Sequence, residues 1–253
     1  MSVKAKPRII CVRCNRECQP VRDIYCKNCA TTLLRKGELA KKQFIPTPDV
    51  LTSLQSEVLT GLMLGDGCLF KAKSHYKPHL AIIRTQDDKD YLLEHYELYK
   101  DFCGTPVRDG CLLDKRTGGL TYHSKLVTRG SIAFEKHYQE WYPEGKKIIP
   151  KSLELSPLIL ATFFADDGYC RFASSGQPRL QLSTECFLKP DIEFLKTKIE
   201  NFCGIEMTIP ASNRLNAYGD HAQKFYDIIS TYMPVSMNRK RKWISPATNS
   251  VAA

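Results

Sequence analysis

A chain of 253 residues can hold one large domain or two fused ones around a sizeable core. No apolar run reaches eighteen residues and the opening MSVKAKPRII lacks an apolar signal region, which excludes a membrane span and a secretory leader and predicts a soluble, intracellular protein. A formal charge of +10 with a pI near 9.0 favours polyanionic partners, although solubility alone accounts for such a balance, and eleven cysteines without a leader fit a reducing compartment, whether bacterial or phage cytoplasm or an organelle.

Residues 1–36 form a cysteine-rich, basic head. Cys11-Val-Arg-Cys14 and Cys26-Lys-Asn-Cys29 are two C-x2-C pairs, a spacing that lets four thiolates surround one tetrahedral Zn²⁺, so a zinc ribbon is expected. So short and polar a head has little core with which to fold unaided, which argues against four free thiols. Cys18 lies outside the pattern. Arg13, Arg16, Arg22, Lys27, Arg35 and Lys36 make the ribbon basic and suit DNA, though ribbons also bind protein. Residues 37–52, containing Lys41, Lys42, Pro46 and Pro48, read as a linker.

The body begins with a predicted helix. Thr52 and Gln55 are spaced as a capping box, Leu54, Val58, Leu59, Leu62 and Met63 recur at helical spacing, and the helix stops at Gly65-Asp66-Gly67. An acid there is electrostatically misplaced by roughly 0.3–1 kcal/mol, because a helix C-terminus already carries partial negative charge. An alternating stretch follows, with His79, Ala81, Ile83 and Thr85 on one face and Leu80, Ile82 and Arg84 on the other. A helical pattern through Tyr91, Leu92, Tyr96 and Tyr99 ends in Phe102-Cys103-Gly104, and a strand pair and a short helix, SIAFEKHYQEWYP, complete residues 53–150.

Residues 151–253 read the same way. Ser156 is a helix cap, Pro157 suits the first helical position, and the apolar run stops at Asp166-Asp167-Gly168. Arg179 to Thr184 alternates, the helical pattern through Ile192, Leu195, Lys198 and Ile199 ends in Phe202-Cys203-Gly204, and a strand pair and DHAQKFYDIISTYMP follow. An internal duplication of α+β halves, each with helices over an antiparallel sheet, is therefore expected. Cys103 and Cys203 occupy equivalent positions and suit small core sites.

Small residues at i,i+4, Gly61 with Gly65 and Ala161 with Ala165, would let the two acid-ended helices approach closely. Asp66 and Asp167 would then converge at two negative helix ends and call for cations, for which hard oxygen ligands with open water positions suit Mg²⁺. Paired carboxylates with a divalent metal can drive phosphodiester displacement. One isolated Asp-Gly would read as a helix stop followed by a turn; two in matching contexts point to the metal.

LTGLMLGDG and LATFFADDG resemble the motif that names the LAGLIDADG homing endonucleases, over roughly residues 50–246, in the two-motif, single-chain branch. The resemblance implies a monomer with its motif helices packed at a pseudo-twofold axis and two sheets spread over double-stranded DNA. It implies catalytic, metal-binding carboxylates at Asp66 and Asp167, with Asp166 extra and opposite no acid at Gly65. It also implies an active-site lysine in each half. GKKIIP points to Lys147, and SMNRKRKWISP to Lys240, with Lys242 an alternative because Arg239, Lys240, Arg241 and Lys242 crowd together. A run contacting phosphate fits Arg239, Arg241 and Lys242 equally well. Arg179 and Gln181, alternating with Leu180 and Leu182, are candidate readers of guanine and adenine edges.

The expectation is a site-specific DNA endonuclease cutting both strands by metal-assisted hydrolysis, encoded in a mobile intron or a free-standing gene. One rival is an RNA splicing maturase using the same saddle on intron RNA; acids at both motif ends lean against it, since RNA binding needs no paired carboxylates. A zinc-ribbon regulator with an inactive body would fit better with a lost motif acid.

Overall fold

The computed structural model describes residues 8–18, 25–38, 46–72, 76–113, 118–172 and 176–241. It divides into two units, Met1–Pro46 and Thr47–Ala253, the division falling inside the 37–52 segment.

In the first unit, strands β1 (Ile9–Ile10) and β2 (Glu17–Cys18) pair antiparallel, and helix α1 (Lys27–Arg35) follows. The turn between the strands puts Asn15 at φ 53°, a left-handed conformation that asparagine tolerates. Cys26 caps α1 by accepting from the Cys29 backbone N–H, and α1 buries only Ala30 and Leu33.

The second unit starts with α2 (Ser53–Leu64). Both hydrogen bonds of its capping box are formed, between Thr52 and Gln55. Strands β3 (Cys68–Phe70) and β4 (His79–Thr85), helix α3 (Lys89–Tyr99), strands β5 (Arg108–Leu113) and β6 (Leu120–Val127) and helix α4 (Glu135–Trp141) follow. The strands form one antiparallel sheet in the order β3-β4-β6-β5. Helix α5 (Pro157–Asp167) opens with the Ser156 cap and Pro157 in its first turn. After it come β7 (Gly168–Phe172), β8 (Pro178–Leu182), α6 (Lys189–Cys203), β9 (Leu215–Tyr218), α7 (Gly219–Ile229) and the short α8 (Asn238–Arg241). The second sheet runs β7-β8-β9, also antiparallel.

The second half lacks the expected strand pair before its closing helix. Only β9 and an isolated bridge from Thr208 to Asn216 form there. Pro210 has no N–H to lend to a ladder, and the chain turns at once, with the Asn213 N–H on the Pro210 carbonyl and Asn213 at φ 57°.

One continuous core joins the two halves, and α2 packing on α5 lies at its centre. The two small pairs stand in different registers of their motifs, and in the structure Gly61 and Gly65 face Thr162 and Asp166. A Cβ on Gly61 would come 2.5 Å from Thr162 Cβ and 2.7 Å from the Ile159 carbonyl, and one on Gly65 would come 2.5 Å from Asp166 Cβ. Ala161 and Ala165 are also fully buried. Spacing alone cannot set the rotation of one helix against another. Here each glycine accommodates a larger residue across the contact.

Gly61→Ala should therefore destabilise the body by about 1–3 kcal/mol, as overpacking does, read as a lower denaturation midpoint. Adding Thr162→Ala should not restore it, since the Cβ at 162 and the Ile159 carbonyl remain in place.

Candidate active site

α2 and α5 end side by side. The Asp66 N–H donates to Asp166 Oδ2 at 3.0 Å, so the two acid stops touch directly. Two helix C-termini with their unpaired carbonyls and three carboxylates concentrate negative charge at one place, and the chain meets it with three cations.

Lys147 places Nζ 3.0 Å from the Gly65 carbonyl and 2.9 Å from that of Gly67, at the end of α2. Lys240 does the same at α5, reaching the carbonyls of Phe164, Ala165 and Asp166 at 3.2, 2.8 and 2.9 Å. The third cation is Arg84, on the inward face of β4. Its guanidinium is 6 % exposed and pairs with Asp66 Oδ2, stands 3.6 Å from Asp88 Oδ2 and 3.9 Å from Asp166 Oδ1, and reaches towards the Ala165 and Asp166 carbonyls. Arg239 in turn grips Asp88 with both carboxylate oxygens at 2.7 Å, which ties α8, and with it Lys240, to the first half. Alternation puts Arg84 on one face with Leu80 and Ile82 but assigns it no role; an arginine sharing a face with two apolar residues was the available signal.

The acids differ in setting. Asp66 keeps 41 % of its side chain exposed. Asp167 is half-buried, and desolvation pushes its carboxyl up while Arg84, Lys240 and Lys147 oppose the shift. Asp166 is buried, and desolvation pushes it up to about 7 against the pull of Arg84. It is thus a structural acid: it occupies the position matching Gly65 and fills the space that glycine leaves. Desolvation lowers Lys147, and lowers Lys240 to about 8 with help from Arg84 and Arg239.

The outward face of the second sheet carries Tyr169, Arg171, Arg179, Gln181 and Tyr218, while Leu180 and Leu182 point fully inward. Arg179 lies over the Tyr218 ring at 5.2 Å. Gln181 donates to Asn216 Oδ1 at 2.9 Å and accepts from Arg214 at 3.3 Å, so it sits in a polar row that alternation had not linked to Arg214 or Asn216. The first sheet presents Ile83, Lys125 and Arg108 in register, with exposed Phe70 and Leu112. Lys242 and the side chain of Arg241 lie outside the described residues, as does Arg22.

In the head, the sulfurs of Cys11, Cys14, Cys26 and Cys29 all lie within 4.8 Å of one another, a set that could hold a metal ion. The Cys26 backbone N–H lowers the Cys11 thiol to about 6, while the Cys29 thiol is pushed up to about 12, chiefly by its bond with Cys26. Crowded thiols cannot all ionise without a cation among them.

Residues 56–220 match the sequence model of the LAGLIDADG DNA endonuclease family. The chain is 28% identical over 199 residues to the cytochrome b mRNA maturase bI2 of Saccharomyces cerevisiae, a match covering 72% of this chain but under half, 46%, of that relative's length. It is 24% identical over 173 residues to the DNA endonuclease I-ChuI of Chlamydomonas applanata, covering 63% of this chain and 77% of the relative. A solved structure of the homing endonuclease I-WcaI bound to its DNA recognition sequence shares the fold, with a TM-score of 0.68 at 21% identity over 76% of this chain and 87% of that one. Among the described residues no helix is long and apolar enough to cross a membrane.

Asp166 gives the site a measurable pH signature. Between 3.8 and about 7 the folded chain holds a proton that the unfolded chain releases, so stability should fall as pH rises across that window, by roughly 1 kcal/mol per pH unit at the steepest. Asp166→Asn should flatten this slope in denaturant titrations run without added divalent metal.

Proposed function

The chain belongs to the LAGLIDADG DNA endonuclease family, and from that premise we propose that it is a site-specific homing endonuclease that cuts both strands of a long DNA target by metal-assisted hydrolysis. The observation that carries this reading is the meeting of the α2 and α5 ends, where the Asp66 N–H reaches Asp166, the neighbour of Asp167, and each end holds a lysine on its own carbonyls. The two halves, 53–150 and 151–253, are read as a duplication within one monomer, preceded by a zinc-ribbon head (1–36) and linker (37–52).

The donor set at the helix ends is hard oxygen, which fits Mg²⁺. Asp66 and Asp167 would hold it, and when bound it would supply Lewis-acid stabilisation of the oxygens that attack and leave the phosphorus. The chain's own groups do the rest. Lys147 spends two of its three donors on carbonyls, leaving one for a phosphate oxygen or a nearby water. Lys240, lowered to about 8, has all three donors on the α5 carbonyls and anchors that helix end. The sheet faces supply register and base contacts: Arg179 and Gln181, with Arg239, Arg241 and Lys242 as phosphate-contacting cations. Cys11, Cys14, Cys26 and Cys29 hold a structural Zn²⁺, a soft tetrahedral site that suits four thiolates.

A second reading, an intron RNA maturase, is favoured by the relation to bI2. The deciding experiment incubates the chain and Mg²⁺ with an intronless allele of its host gene and scores a discrete double-strand break. Tight binding of the intron RNA with no DNA cleavage would put the maturase reading in its place.

Asp66→Asn and Asp167→Asn should each reduce cleavage by about 10² or more while DNA affinity, measured by mobility shift, stays within about threefold. Affinity should fall with salt at a log–log slope steeper than about −5, six or more phosphates being neutralised; a slope near −1 would rule out an extended saddle. In the head, Cys26→Ser should lower zinc from near one per chain by elemental analysis; full retention would remove the four-thiolate assignment.

A further inference from the structure

The two acids at the helix junction are not equivalent. Arg84 pairs with Asp66, whereas among the described residues no cation forms an ion pair with Asp167. The asymmetry is built into the chain. Leu80 pairs with Leu69 and Leu180 with Cys170, the second residue after each motif glycine, so Arg84 corresponds in register to Thr184, whose hydroxyl donates to the Asn213 carbonyl. One half carries a permanent charge where the other carries a neutral hydroxyl.

Arg84 is poorly placed to move aside. Its side chain is 6 % exposed, lies 5.5 Å from the centre of the buried Tyr91 ring and is held from behind by Asp88, which Arg239 holds in turn. A guanidinium does not deprotonate in a protein, so it cannot relieve repulsion by losing charge. A divalent cation arriving at Asp66 meets a carboxylate already neutralised and a fixed positive neighbour. One arriving at Asp167 meets a carboxylate with no direct counter-ion.

We propose that Arg84 is a resident counter-ion that makes the pair unequal: Asp167 carries the tight divalent-cation site and Asp66 the weak one. The biological meaning rests on the metal-dependent nuclease reading, under which the two strands would differ in the metal concentration they require. The assignment itself needs no cleavage to be tested.

The test titrates the zinc-loaded full chain with Mn²⁺, a hard octahedral cation that does not displace zinc from thiolates, and counts free Mn²⁺ by electron paramagnetic resonance. Two classes of site should appear, separated by about tenfold or more in dissociation constant. Asp167→Asn should remove the tight class and Asp66→Asn the weak one. Arg84→Gln should bring the classes within about threefold of each other, while Arg84→Lys, which keeps a charge, should preserve most of the gap. If Arg84→Gln does not fold, the two aspartate variants decide alone. Equal classes, a single class, no binding, or loss of the tight class in Asp66→Asn would overturn the assignment. Unequal sites in a protein that never cuts DNA would sink the nuclease reading and leave this assignment supported.

Discussion

Everything at the candidate site follows from two helices touching with little side chain between them. Gly61 and Gly65 let α2 approach the backbone of α5 so closely that a methyl group does not fit. That approach brings two carbonyl-bearing helix ends into one small volume. Had the helices been held apart by Leu-sized contacts, Asp66 and Asp167 would stand at separate termini, and neither Arg84 nor the hydrogen bond from Asp66 to Asp166 could serve both halves.

The charge so concentrated dictates the surroundings. The sequence posed the question of what compensates an acid at a helix end, and answered it with metal. The structure answers with side chains: Lys147 and Lys240 hold the helix-end carbonyls and Arg84 pairs with Asp66. Arg84, itself buried, thus holds Asp66 at the junction as well as balancing its charge.

Local signals were legible where the physics is local. The Thr52–Gln55 capping box, the Ser156 cap with Pro157, the inward Leu180 and Leu182, and the grouping of four cysteines all depend on residues a few positions apart or on strand alternation. What escaped depends on partners far along the chain. Arg84 meets Asp166 across 82 residues, Arg239 meets Asp88 across 151, and the face of α5 against Gly61 is set by packing in three dimensions. Asp166 is the clearest case. In the sequence it was a surplus acid beside the one that mattered; in the fold it is the buried residue that receives the Asp66 N–H. Lys240 reaches the α5 carbonyls, while Lys242, its alternative, lies outside the described residues.

The burial of α2 by α5 has a consequence for how the protein is made. α2 packs against α5, a helix that begins only at residue 157. At roughly 5–20 residues per second, α2 leaves the ribosome some seconds before its cover does, and Lys240, last of the site residues, follows later still. During that interval the face of α2 that α5 will cover is exposed, a target for chaperones and for aggregation. A nascent chain stalled before α5 would therefore be a client for quality control rather than an early enzyme, and the assembly of the site is timed by translation.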